Sequence, residues 1–180
     1  KGIAHATGDI VAILNSDDFY AHEQVLAHVA ETFQREGSDA VYGDLHYVDP
    51  ERTDRITRRW VSGAYVPGSF RKGWMPPHPS FFVKRGLYDR FGTFNLGLRS
   101  AADYELMLRF IEKNGVRPAY LPEVLVKMRA GGHSNKNLRT RILGNLEDRK
   151  AWEMNGLEPA WYTFYLKPAR KIIQFLSFLR

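Results

Sequence analysis

Two periods of apolar residues run along this chain, and the change from one to the other marks its elements. Residues 9–14, Asp-Ile-Val-Ala-Ile-Leu, form a short, nearly continuous apolar run. Such a run predicts a strand buried on both faces, as in a parallel or mixed sheet covered by helices. A strand of that kind takes a neighbour on each side, so part of the sheet is expected upstream of Lys1. Asn15-Ser16-Asp17-Asp18 ends the strand. A helix is predicted from about His22 to Arg35, with Leu26, Val29, Ala30 and Phe33 inward and Gly37 closing it. Ala40-Val41-Tyr42 reads as a second strand ending at Gly43-Asp44, and Leu45 to Val48 as the start of a hairpin. Residues 49–75 are basic, glycine-rich and irregular, and no element is assigned there. His78 to Val83 is expected to be extended, and 84–91 a short helix.

The strongest helical period runs from Ser100 to Asn114. Leu106, Met107, Phe110 and Ile111 form its inner stripe, and Gly115 follows it. Ser100 and Asp103 have the spacing of an S-x-x-D cap. Strands are expected near Val116 to Tyr120 and Val124 to Met128, a break at Gly131-Gly132, and a polar helix from Asn135 to Asn155. The organisation predicted is one α/β unit over residues 1–135 with a helical, basic and aromatic extension over 136–180.

Composition removes several classes. The 180 residues are 44% hydrophobic, enough for a core, and hold no cysteine. Disulfides and thiolate metal sites are therefore excluded, and a reducing, cytoplasmic setting fits. No apolar run approaches the length of a membrane span. Charge is unevenly placed: residues 1–50 carry two basic and nine acidic side chains, and the rest carry 24 basic and 11 acidic. Clustered carboxylates in the first part suit a cation, and the basic remainder suits phosphates or an anionic surface. The basic residues are scattered and match no nucleic-acid motif, so a nucleic-acid partner is not expected. Gly63 and Gly68 have the spacing of a phosphate-binding loop, but Ser69-Phe70 follows without its lysine and hydroxyl. Dinucleotide, zinc-protease and nucleophile-elbow motifs are absent as well.

Two short segments carry candidate chemistry. Asn15, Ser16, Asp17 and Asp18 follow a predicted buried strand, where open α/β sheets place their ligands. Paired carboxylates with an amide make an oxygen-rich site suited to Mg²⁺ or Mn²⁺. The same residues also suit a plain helix cap. Asp103 is either part of a capping box or a carboxylate held rigidly enough to serve as a general base. Glu105 points to another face and is expected at the surface or in an ion pair.

These segments, taken in order, resemble glycosyltransferase family 2. The likeness rests on Lys1-Gly2-Ile3 with Ala6-Thr7-Gly8-Asp9-Ile10, on Leu14-Asn15-Ser16-Asp17-Asp18 and on Tyr42-Gly43-Asp44. It continues through His78-Pro79-Ser80-Phe81-Phe82, Gly92-Thr93-Phe94-Asn95, Ala102-Asp103-Tyr104-Glu105-Leu106-Met107-Leu108-Arg109 and Gly131-Gly132-His133-Ser134. It covers roughly residues 1–140 and is nearest to bacterial cell-surface polysaccharide enzymes of that family.

The resemblance implies a GT-A fold, a Rossmann-like mixed sheet flanked by helices. Here that fold would be incomplete at its N-terminus and followed by a helical tail. It implies transfer of a sugar from a nucleotide-sugar, with UDP as the expected nucleotide, to a hydroxyl of a glycan or lipid-linked acceptor, with inversion. Asp17 and Asp18 would hold Mn²⁺ or Mg²⁺ beside the donor diphosphate, with Asn15 on the donor. Asn15 stands where many relatives have aspartate, which makes one contact neutral. Asp103 would be the base. His133 is a further metal candidate against an ordinary loop histidine. Trp74, His78 and Arg99 are candidates for the acceptor side, against core packing for the aromatics and solvation for the arginine.

The tail joins Trp161-Tyr162-Thr163-Phe164-Tyr165 to Lys167-Pro168-Ala169-Arg170-Lys171 and an apolar end. That combination suits either peripheral contact of 161–180 with an inner leaflet or packing on the tail's own domain. The rival reading of the whole chain is a noncatalytic membrane-associated or assembly module.

Overall fold

The computed structural model describes residues 1–131 and 138–176, without the side chains of 138–142 and 171–176. A first turn, α1 (Gly2–His5), leads to β1 (Ile10–Val11), β2 (Phe19–Tyr20) and α2 (Val25–Glu36). Then come β3 (Ala40–Val48), β4 (Ile56–Trp60), β5 (Phe81–Lys84) and α3 (Gly86–Phe91). Helix α4 (Ala102–Leu108) continues into a wider π turn, Arg109–Lys113. Strand β6 (Pro118–Arg129) and helices α5 (Leu138–Met154) and α6 (Thr163–Leu176) complete the order.

The strands form one mixed sheet in the order β1-β5-β3-β6-β2, with β4 also paired to β3. The β3–β6 pair is parallel and every other pair is antiparallel. Strand β3 is the axis. Its Ala40–Tyr42 half pairs with β5, its Leu45–Val48 half pairs with β4, and β6 takes its other edge throughout. Alternation along β3 and β5 then divides the core. Tyr42, Phe81 and Val83 face a cluster built with α4, α5 and α6 through Leu106, Met107, Trp152 and Phe164. Val41 and Phe82 face a cluster built with α2 through Val25, Val29 and Phe33.

The change of partner along β3 happens at Gly43-Asp44, where the register against β6 shifts. Tyr42 lies opposite Tyr120 and Asp44 opposite Val124, so Leu121-Pro122-Glu123 bulge against Gly43 alone. The two strands expected at 116–120 and 124–128 are therefore one strand, and Pro122 sits in the bulge, where its missing N–H costs no ladder bond. A Cβ on Gly43 would lie 2.5 Å from the Leu125 side chain and 2.7 Å from the Glu123 carbonyl.

Three other expectations change. The 9–14 run forms only the two-residue β1, which pairs with β5 alone among the described residues, and Ile10 and Leu14 are partly exposed. With one paired edge, the run does not reach the two-sided burial expected of it. Helix α2 starts three residues later than predicted and is rotated. Its inner stripe is Val25, Val29, Thr32 and Phe33, and Leu26 is 54% exposed. The unassigned 49–75 stretch holds β4 and a 3₁₀ turn at Ser69–Lys72. Residues 78–80 form a second such turn, and only Phe81–Lys84 is extended.

The start of α6 packs on the body of the chain. Phe164 is buried, the Thr163 hydroxyl donates to the Arg71 carbonyl, and the backbone at Leu166-Lys167 lies directly against Gly73. No described helix is long and apolar enough to cross a membrane.

Substitution Gly43→Ala should lower stability by about 1–3 kcal/mol, because the added methyl meets a buried leucine and a backbone carbonyl. Urea unfolding measures this, and a loss within the roughly 0.5 kcal/mol of an ordinary surface change would show that β3 and β6 part easily there.

Candidate functional site

The acidic turn between β1 and β2 is a closed loop with one exposed and one buried carboxylate. The Asn15 side-chain amide donates to Asp18 Oδ2 at 2.7 Å, and the Asp18 amide donates to the Asn15 carbonyl at 3.1 Å. An aspartate at position 15 could not make the first of these bonds and would face Asp18 as a like charge. Asp18 Oδ1 is buried and has no hydrogen-bond partner among the described residues. Burial pushes the Asp18 carboxyl above its usual range, against the Asn15 bond, which lowers it. Asp17 is exposed, and its carbonyl accepts from Arg129 at 2.6 Å, which ties the turn to the carboxyl end of β6.

Asp103 stands in the first turn of α4, and its Oδ1 accepts the Tyr104 amide at 2.8 Å. The predicted S-x-x-D cap is absent: no side chain of the local sequence caps this helix. The carboxylate of Glu147, on α5, does so instead. It accepts the amides of Arg99, Ser100 and Ala101 at 2.6–3.1 Å. Desolvation raises the Glu147 carboxyl, but the three amides prevail and hold it below its usual range. Asp103 is thereby left to line a cleft.

The neighbouring acid, Glu105, is buried, which corrects the surface half of its expectation. Its ion pair with Arg109 does form at 2.9 Å, and Asn155 donates to it at 3.0 Å. Arg109 also donates to the carbonyls of Phe91, Gly92 and Thr93. Within Ala-Asp-Tyr-Glu-Leu-Met-Leu-Arg, one acid serves the cleft and the other locks the loop before it.

The cleft has a volume of about 570 Å³ and opens at the carboxyl end of β3 and β6. Asn15, His78, Arg99 and Asp103 all line it, so the structure brings four predicted residues together from three segments. Tyr47, Arg58, Arg129 and Lys167 line it too and were not singled out from the sequence. The Arg58 guanidinium lies 3.6 Å from the centre of the Tyr47 ring. Burial raises the Tyr47 hydroxyl pKa. Arg58 lowers it, and the charges of both Asp18 and Asp103 raise it further, so the two acidic segments bear on one phenol. His78 packs edge-on against Phe94 at 5.5 Å. Burial depresses its imidazole pKa, partly offset by Asp103. Lys167 joins both Asp148 oxygens at 2.7 Å and lies over Tyr104.

Trp74 does not reach this cleft. It is 6% exposed, donates to the Ser62 carbonyl at 2.8 Å, and packs with Tyr42, Tyr65 and Phe70. Its acceptor-side candidacy gives way to core packing, because its indole N–H already has a partner inside. Asp44 is structural as well, accepting the Ser62 amide and the Tyr120 hydroxyl. His133 lies outside the described residues. Sequence reasoning missed Arg129 and Lys167 because no local pattern marks them. Arg129 ends a strand and Lys167 comes from the tail.

Comparison with known proteins bears on the family and the fold. The family model of Glycosyl transferase family 2 matches residues 1–105. A PGL/p-HBAD biosynthesis glycosyltransferase of Mycobacterium bovis is 30% identical over 149 residues, covering 81% of this chain and 55% of the relative. The Mycobacterium tuberculosis protein of the same description matches to the same extent. The chain thus spans about half the length of these curated relatives. Among solved structures, S. aureus TarS 1-349 in complex with UDP-GlcNAc superposes with a TM-score of 0.56 at 18% identity, over 98% of this chain and 51% of that one. The fold is the GT-A fold.

Substitution Glu147→Ala should cost about 1 kcal/mol at neutral pH, as loss of a helix cap does. A carboxyl held low in the folded chain stabilises it above the unfolded pKa, and that contribution is lost as pH falls through the folded pKa. The difference between the two proteins should therefore shrink in acid, below about 4.5. A pH-independent difference in unfolding curves would show that the Glu147 charge does not hold the helix start.

Proposed function

The chain belongs to glycosyl transferase family 2, and on that premise we propose that it carries the metal and acceptor side of an inverting transferase. The donor is a nucleotide-sugar, with UDP the expected nucleotide, and the acceptor is a hydroxyl of a glycan or lipid-linked glycan. The observation that carries this reading is the shared cleft. Asp103, and Asn15 and Arg129 with their bonds to the acidic turn, face one cavity at the carboxyl end of the sheet.

Asp103 takes the proton from the acceptor hydroxyl. Its Oδ1 is fixed by the Tyr104 amide, which leaves Oδ2 for that hydroxyl. The acceptor oxygen then bonds to the anomeric carbon from the side of Asp103, while the bond to the diphosphate oxygen breaks on the opposite side. The anomeric configuration inverts. His78, held neutral by its burial, and Arg99 frame the acceptor.

Asp17 and Asp18 suit a hard divalent ion, Mn²⁺ or Mg²⁺. The orphaned Asp18 Oδ1 is a buried oxygen needing a positive partner, and Asp17 offers an exposed carboxylate beside it. Such an ion supplies charge stabilisation to the leaving diphosphate. Arg129 holds the turn in place, and Arg58 adds fixed positive charge to the same wall.

Trp161, 83% exposed, and Tyr165 beside the basic tail support peripheral contact of 161–180 with an anionic, inner-leaflet surface, near a lipid-linked acceptor. The double substitution Trp161→Ala, Tyr165→Ala should leave folding intact and weaken sedimentation with anionic liposomes. Unchanged sedimentation removes the membrane contact from the reading.

In the protein with its natural flanking sequence, Asp103→Asn should lower sugar transfer about 10²–10⁴-fold while UDP binding persists. Calorimetric titration of UDP should show binding with Mn²⁺ that EDTA and Asp18→Asn each abolish. Transfer that survives Asp103→Asn would place the base elsewhere, and absence of transfer by the unmodified protein would favour the noncatalytic module. Metal-dependent UDP binding that survives Asp18→Asn would place the ion elsewhere.

A further inference from the structure

Outside the cleft, three metal-ligating side chains from separate elements meet at one point. His22 follows β2, just beyond the bond from the Ala21 amide to the Leu125 carbonyl. His28 is in the first turns of α2, and Glu123 is in the β6 bulge opposite Gly43. One Glu123 oxygen contacts His22 Nε2, and the other lies 2.9 Å from His28 Nδ1. A nitrogen of each imidazole and a carboxylate oxygen all lie within 4.8 Å of one another. The rings are 5.6 Å apart, and none of the three residues lines the cleft.

We propose that His22, His28 and Glu123 form a Zn²⁺ site that fastens the β2–α2 junction to β6. Two imidazoles and one carboxylate are a borderline nitrogen-and-oxygen set, unlike the all-oxygen acidic turn, and that set favours zinc over magnesium or manganese. Tetrahedral Zn²⁺ with bonds of about 2.0–2.1 Å needs ligand atoms about 3.3 Å apart. The present spacings of 2.9 and 3.1 Å from His28 to the carboxylate open to that by a few tenths of an ångström, by roughly that geometry. The side chains are 38%, 35% and 27% exposed, so they have room to move and leave a fourth position for water.

In the metal-free chain, His22 Nδ1 accepts the Gln24 amide at 3.2 Å, which places the neutral ring's hydrogen on Nε2. Zinc uptake moves that hydrogen to Nδ1 and hands the exposed Gln24 amide to water. The site lies four residues after Asp18 in sequence, so the ion would also restrain the far end of the acidic loop.

The test is competition for Zn²⁺ between the metal-stripped protein and a chromogenic chelator, with no sugar nucleotide present. The expected result is one equivalent per chain, with a rise in melting temperature. Binding should be kept in Asp18→Asn and weakened more than about tenfold in His28→Gln and in Glu123→Gln. Zn²⁺ should also shift the side-chain nitrogen resonances of His22 and His28 in the unmodified protein, a readout that needs no variant to fold. Absence of stoichiometric binding, loss of it in Asp18→Asn, or unmoved resonances of these two histidines would overturn the proposal. None of these results depends on the chain being a transferase.

Discussion

The carbonyl of Gly43 is the point at which this structure is fastened. It accepts the hydroxyls of Ser62 and Ser80 at 2.9 Å each, deep in the sheet. Next to it, Asp44 accepts the Ser62 amide and the Tyr120 hydroxyl. These bonds join β3, the segment after β4, the turn before β5, and β6 at the place where β3 changes partners. A largely buried polar network of this kind specifies one arrangement, since any slip would leave its members unpaired. Glycine is required because β6 bulges into the space a side chain would take. The bulge and a second shift between Asp44 and Leu45 then set the register of the rest of β6, including Met128 and Arg129 at the cleft.

Acidic residues do two different jobs here, and their partners tell them apart. Asp44, Glu105 and Glu147 each accept from a donor far along the chain, Tyr120, Asn155 and the amides of residues 99–101 respectively. Asp18 keeps a buried oxygen without a partner among the described residues, Asp17 faces solvent, and Asp103 has one oxygen fixed by the Tyr104 amide and lines the cleft. Glu147 matters to that division. By accepting the amides of Ser100 and Ala101 just ahead of α4, it takes the donors that an S-x-x-D box would bring to Asp103. The spacing of Ser100 and Asp103 suggests a self-capped helix, but capping is a question of which oxygen arrives. The oxygen comes from α5, 44 residues beyond Asp103 in sequence.

What the sequence made legible follows from how local each interaction is. The inner stripe of α4 was readable, because Leu106, Met107, Phe110 and Ile111 share one face whatever packs on them. The stripe of α2 was misplaced by one position, since Val25 and Leu26 are equally apolar and only the sheet beneath decides between them. Asp103, His78 and Asn15, singled out from separate motifs, line one cleft, although nothing local says that they meet. Trp74 was left between acceptor contact and core packing, because an aromatic beside a site and an aromatic beneath it have the same sequence. The partner that settles it is the Ser62 carbonyl, twelve residues away.

The helices beyond residue 135 pack on the α/β unit. Trp152 and Phe164 belong to the same apolar cluster as Leu106 and Tyr42, and Trp152 donates to the Tyr104 hydroxyl at 2.8 Å. Tyr104 is the residue that fixes Asp103, and Lys167 of α6 covers its ring. The cap of α4 also comes from α5. The helical extension therefore supports the floor of the cleft from behind, and the geometry of the proposed base depends on helices that the family's motif region, residues 1–105, does not include.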